Sequence, residues 1–238
     1  MTEWAARRFW TDATAEPMEG GGHTVRLDGR AVKTPAKSPL ILPSEAMARA
    51  VAAEWAAQGE LIAPLSMPVT RGANAAIDKV RPQRAEVADM LAEYGDSDLL
   101  CYRAETPEEL VARQEAAWDP LLDWAADTLG ARLEARTGIM HAPQDADSLT
   151  RLRAAVHRLD AFELAAFHDL VSLTGSLVIG FAAERGQGAS DDLWTASRID
   201  EDWQAQQWGE DEEAANAAEH KRRAFHDAVA FLSLARAE

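Results

Sequence analysis

The chain has 238 residues, of which 27% are charged and 47% hydrophobic, a balance that excludes a disordered chain and is long enough to bury a core in one large domain or two small ones. A formal net charge of −16 opposes binding to nucleic-acid backbones and to anionic membrane surfaces, leaving a basic partner or the need to stay soluble beside a sticky client. The single cysteine, Cys101, excludes an internal disulfide and fits a reducing compartment.

The beginning of the chain, Met1 to Arg8, lacks the apolar segment of a secretory signal, which places the protein in the cytoplasm. From Arg8 to Leu42 short extended runs alternate with turn residues. Glu19-Gly20-Gly21-Gly22 and Asp28-Gly29 separate Thr24-Val25-Arg26-Leu27 from Ala31-Val32-Lys33, the pattern of a small antiparallel meander. Ser44 then caps a helix in which Ala46, Met47, Ala50, Val51, Glu54 and Trp55 recur at helical spacing as far as Gly59. Trp55 ends its apolar face and is expected to pack the helix on the strands.

Pro64 and Pro68 form a linker-like passage, and a boundary is expected there. The expected organisation is α+β, with a small β-rich N-terminal domain over 1–68, carrying one long helix, and a larger, mainly helical C-terminal domain over 69–238. Helices are expected over Thr70–Val80, Pro82–Glu93, Pro107–Leu129, Ala146–His157, Ala161–Ala183, Ser190–Trp208 and Glu210–Ala235, with one extended interruption at Arg132–Thr137. The longest uncharged run, Leu170 to Ala183, is too short for a bilayer span of roughly 20 residues and reads as a buried helix.

Motifs for chemistry are near misses. Gly20-Gly21-Gly22-His23 lacks the Lys-Ser/Thr of a phosphate-binding loop, Thr174-Gly175-Ser176-Leu177 lacks the flanking glycines of a nucleophile elbow, and the six histidines include no pair four residues apart. Cys101 lies among apolar neighbours with no adjacent base to activate it. Asp96 and Asp98 are a spaced acidic pair that reads either as a capped turn or as a general acid and base.

The stretch Ser197 to Gly209 is the most distinctive. On one helix Leu193, Ala196, Ile199, Trp203 and Gln206 share a face, Asp200, Glu201 and Asp202 crowd its flank, and Trp208 follows. Between Asp200 and Glu219 there are eight acids and no basic residue. Two readings stay open: a surface that meets another protein, or a core helix with a solvated outer side.

Several passages are shared, in order, with a known family: Leu27-Asp28-Gly29-Arg30 with Lys33-Thr34-Pro35; Leu42-Pro43-Ser44 leading to Ala53-Glu54-Trp55; and Met67-Pro68-Val69-Thr70. The series continues with Asp98-Leu99-Leu100-Cys101-Tyr102-Arg103, Trp118-Asp119-Pro120-Leu121 with Trp124, and Ser197-Arg198-Ile199-Asp200 through Gln207-Trp208-Gly209. The chain resembles the assembly chaperones of the F-type ATP synthase that act on the alpha subunit of the catalytic head, known in mitochondria as assembly factor 2, and looks like a bacterial member.

The resemblance implies a two-domain fold, no catalysis and no cofactor, and the spacing of the histidines gives no reason to expect a metal. It implies that the unassembled alpha subunit is held and shielded until beta takes its place. Asp200, following the Ser-Arg-apolar triplet that contains Arg198, and Trp55 match positions important for function in that family. The partner-binding set expected is therefore Asp200, Glu201, Asp202, Trp203, Trp208, Arg198 and Trp55, in a protein acting as a monomer. The rival readings are an enzyme using Asp96 and Asp98, or an acidic module for another basic protein.

Overall fold

The fold is described from a computed structural model, for residues 7–209 and 211–237. Most of the Met1 to Arg8 stretch, and Glu210, lie outside the described residues. The chain forms two compact units. One is drawn from residues up to Arg84, from Ala161–Ala166 and from Ala230 onward, and the other comprises Ala85–Asp160 and Phe167–Val229.

In the first unit β1 (Ala13–Pro17), β2 (His23–Leu27) and β3 (Arg30–Ala31) make the antiparallel meander, with Ala13 opposite Leu27 and Arg26 opposite Ala31. Asp28 and Gly29 both have positive φ, 46° and 78°, the backbone of a two-residue turn whose twist matches the strands it joins. The Asp28 carboxylate accepts the Thr11 and Asp12 amides, and these bonds hold it below the usual carboxylate range. Val25 and Leu27 point into a core closed by α1 (Glu45–Ala56), which buries Met47, Ala48, Val51 and Ala52. Ser44 caps α1 by accepting the Met47 amide at 3.0 Å, and its hydroxyl donates to the Leu234 carbonyl.

Next comes α2 (Pro68–Ala75), continued by a π turn at Ala76–Val80. The first turn of α2 has no capping side chain of its own; instead Glu54 of α1 accepts the Val69 and Thr70 amides, each at 2.7 Å, and the Thr70 hydroxyl. Asp78 in turn accepts from the Thr34 hydroxyl and the Ala36 amide. This unit therefore takes in residues on both sides of position 68, because those two carboxylates bond across it.

The second unit is helical. Its elements are α3 (Arg84–Ala92), β4 (Tyr102–Arg103), α4 (Glu108–Leu129), β5 (Arg136–Thr137), α5 (Ala146–His157), α7 (Leu177–Glu184), α8 (Ser190–Ala196) and α9 (Ile199–Trp208), with most of α6 (Ala161–Thr174) and of α10 (Glu212–Ala235), whose Ala161–Ala166 and Ala230–Ala235 are counted with the first unit. Residues Leu177 to Ala183 of α7 are all buried, and α4 packs on α7, α8 and α9. This is the α+β architecture expected. Among the described residues no helix is long and apolar enough to cross a membrane.

Two expected helices are each broken in two. Between α6 and α7, Gly175 takes φ 69° and the Ser176 hydroxyl accepts the Ile179 amide, starting a new helix where apolar patterning alone suggested one continuous segment. Between α8 and α9, the Ser197 hydroxyl bonds back to the Trp194 carbonyl, and Arg198 leaves the helical region at φ −113° and ψ 6°. The extended piece expected at Arg132–Thr137 shrinks to Arg136–Thr137, paired in parallel with β4.

Gly180 of α7 marks how tightly this unit is packed, since a Cβ there would stand 2.6 Å from Cγ2 of Val171. Gly180→Ala is expected to lower stability by about 1–3 kcal/mol, overpacking outweighing the roughly 1 kcal/mol that alanine gains in helix propensity. Urea denaturation measures it, and an equal or higher midpoint would contradict the packing argument.

Candidate functional site

The acidic pair at Asp96 and Asp98 does not converge. Asp98 is fully buried, accepting the Leu100 amide on one oxygen and the Val178 amide on the other, both at 3.0 Å. Burial outweighs those bonds and raises its carboxyl to about 6. Asp96 faces elsewhere, accepting the Gln144 amide at 2.7 Å and lying 3.3 Å from Nε2 of His141. Asp98 acts as a buried cap for the start of α7. Cys101 is buried too, and desolvation, with the Asp98 charge adding to it, pushes its thiol up to about 12, so thiolate chemistry is suppressed.

The acidic stretch is built differently from one amphipathic helix. α8 and α9 are short, and both are bonded to α4. The Trp118 indole N–H donates to the Ala196 carbonyl at 2.7 Å, at the end of α8. One turn earlier on α4, Gln114 is buried and oriented from both ends: its oxygen accepts the Ala104 amide at 2.8 Å, so its NH2 must face Asp200, to which it donates at 2.6 Å. Arg113 donates to Gln206 at 2.7 Å and lies 4.7 Å over the Trp203 ring.

α9 therefore presents a sorted set of side chains. Asp200 is half-buried, with one oxygen held by Gln114. Glu201 and Asp202 are exposed, and Glu201 pairs with Arg198 at 2.7 Å while that guanidinium lies 5.9 Å from the Trp194 ring. Trp203 is only 7% exposed, so it is core under Arg113 rather than an outward anchor. Trp208, in the last turn, is 80% exposed. Trp55 belongs to the first unit, half-buried with its ring edge-on to Trp10 at 5.1 Å and its carbonyl accepting the Trp10 indole N–H. It ties α1 to Trp10, in the segment that precedes β1.

Gln114 was not among the expected residues. A signal for it exists, because Gln114 occupies the four-residue register of Leu110, Trp118 and Leu122, a polar residue set into an apolar stripe.

Comparison with known proteins agrees with this fold. Residues 7–126 match the family model described as ATP12 chaperone protein. The crystal structure of Atp12 from Paracoccus denitrificans is similar over 98% of this chain and 100% of its own, at 50% identity and a TM-score of 0.95. The crystal structure of the Atu1473 protein from Agrobacterium tumefaciens is similar over 95% of this chain and 85% of its own, at 41% identity and a TM-score of 0.91. Protein atp12, mitochondrial, from Schizosaccharomyces pombe is 28% identical over 220 residues, 87% of this chain and 75% of that protein. The chain belongs to the ATP12 chaperone family, the ATP synthase assembly chaperones that its motifs resemble.

Two measurements check the site. Trp203→Ala is expected to cost about 3–5 kcal/mol and Trp208→Ala to stay within about 0.5 kcal/mol, read by urea denaturation; equal losses would contradict the assigned burial. Asp98 is expected to titrate in the folded protein with a midpoint near 6, followed by carboxyl carbon NMR. Between the ordinary value of 3.8 and about 6 the folded chain keeps a proton that the unfolded chain has released. Asp98 thus makes stability fall as pH rises through that window, and its penalty is complete above it. A midpoint near 4 would refute the burial argument.

Proposed function

We propose that this protein is a cytoplasmic, monomeric chaperone that holds the unassembled alpha subunit of the F-type ATP synthase until the beta subunit displaces it. The observation that carries the reading is Trp208, 80% exposed at the end of a helix whose first turn is Asp200-Glu201-Asp202. An exposed tryptophan is the side chain most enriched among interface hot spots, and a flanking acidic edge speeds encounter with a basic patch and sets register. Asp200 offers a carboxylate oriented by Gln114, and Glu201 one oriented by Arg198. Trp203 supports this surface from within. Trp55 acts through the fold of the first unit. Release comes by competition, since a partner that buries the same surface better replaces the chaperone without nucleotide hydrolysis.

The test is capture of separately expressed alpha and beta subunits from the same organism, followed by addition of beta to the alpha complex. Alpha is expected to be captured and then lost as beta arrives. Trp208→Ser and Asp200→Asn are each expected to weaken capture by about tenfold or more with the fold intact. The asparagine keeps an acceptor for Gln114 and removes only the charge, whereas Asp200→Lys also strands the buried Gln114 amide, at a cost of about 1–3 kcal/mol. Capture of beta in preference to alpha, or unchanged capture by both variants, would overturn the proposal.

A further inference from the structure

The loop after β5 carries Ile139 and Met140 at 90% and 83% exposure, side by side at its tip. A floppy loop with apolar side chains at its tip would be unremarkable, but this one is braced at its base. The Gly138 amide donates to the Arg103 carbonyl at 2.8 Å, and the Arg136 guanidinium reaches round to the Ala142 and Pro143 carbonyls. On the far side His141 lies 3.3 Å from both the Tyr102 hydroxyl and the Asp96 carboxylate, and the Gln144 amide is bonded to Asp96. The ordering that binding would otherwise demand of this tip is already in place.

The tip is also linked to the acidic site through Gln114. Arg136 and Thr137, which lead directly into the loop, line a cleft of about 240 Å³ together with Gln114, Glu115 and Asp119 of α4. Gln114 is the residue that holds Asp200. Both arginines in the cleft are engaged internally, Arg103 by the Leu100 carbonyl and Asp119, Arg136 by the loop carbonyls and Glu134. Glu115 has no ion-pair partner among the described residues. Charge that is not neutralised within the cleft is therefore acidic.

Resting on the assignment of α9 as the client-binding helix, we propose that Ile139 and Met140 form a second client contact, and that cleft and acids together bind one extended segment of the client. That segment carries an apolar side chain that packs on the Ile139-Met140 tip, its backbone crosses the cleft, and a basic side chain further along reaches Glu115 or the Asp200 carboxylate. A flat apolar patch would be matched by any greasy surface, whereas this arrangement asks for an apolar and a basic residue on the same strand.

The buried, unreactive Cys101 makes the test direct, because Met140→Cys then supplies the one reactive thiol, to be labelled with a benzophenone maleimide. With wild-type capture of alpha as the reference, the Ile139→Ser, Met140→Ser double variant is expected to bind alpha about tenfold more weakly at an unchanged melting temperature. Photolysis of the labelled Met140→Cys protein is expected to crosslink to an alpha-subunit segment holding both an apolar and a basic residue. If the wild-type protein captures alpha while the double variant does so equally well, the second contact is wrong and the α9 assignment survives. If the wild-type protein captures no alpha, both fall.

Discussion

A single carboxylate with no access to water organises the larger unit. Asp98 bonds on one side to the turn that leads into β4 and on the other to the first turn of α7. It therefore joins two stretches that are 80 residues apart in sequence. α7 is buried along its whole length from Leu177 to Ala183 and cannot satisfy the amides of its first turn with water. Asp98 and the Ser176 hydroxyl supply those acceptors, and the helices around α7, α4 first among them, pack on a rod whose end is already closed. The cost is a buried acid, visible in its raised carboxyl. The fold tolerates it because an uncapped buried helix end would cost more.

From that centre outward, α4 does two jobs. Its apolar stripe faces the core, and the polar members of the same face, Gln114 and Trp118, each donate to the α8–α9 segment. The acidic helix is thereby held at defined points instead of resting on hydrophobic area alone. The first unit uses a related device, Glu54 of α1 capping α2. In both units a side chain from one helix completes the backbone hydrogen bonding of another, which ties rigid elements in register without a large contact area.

Much of this architecture is readable from residue order. Patterning located α5 at its observed limits and α4 to within one residue, because each has a strong apolar stripe and a clear stop such as Gly130. The meander was legible from its glycine turns. Serine misled at two places: Ser176 and Ser197 each redirect the backbone by one hydrogen bond, which hydropathy does not register. The pairing of β4 with β5 was invisible, since a two-residue strand has no period to detect. At the candidate site, the composition of α9 was legible but the direction of each side chain was not. Trp203 and Trp208 look alike in sequence, and only the guanidinium of Arg113, brought in by a separate helix, distinguishes the buried ring from the exposed one.

The breaking of the chain at Ser197 also changes what the acids are for. Had Ser190 to Trp208 been one helix, Asp200, Glu201 and Asp202 would lie in its middle, repelling one another for no local return. Since α9 begins afresh at Ile199, all three fall in a first turn that has no capping side chain. There the positive end of the helix macrodipole favours negative charge, by about 0.3–1 kcal/mol for each exposed group. The same charges that suit a basic visitor thus help to hold the helix that displays them. Evolution of a more or less acidic edge at this point is coupled to the integrity of α9, so that drift toward neutral residues would erode the helix end and the recognition surface together.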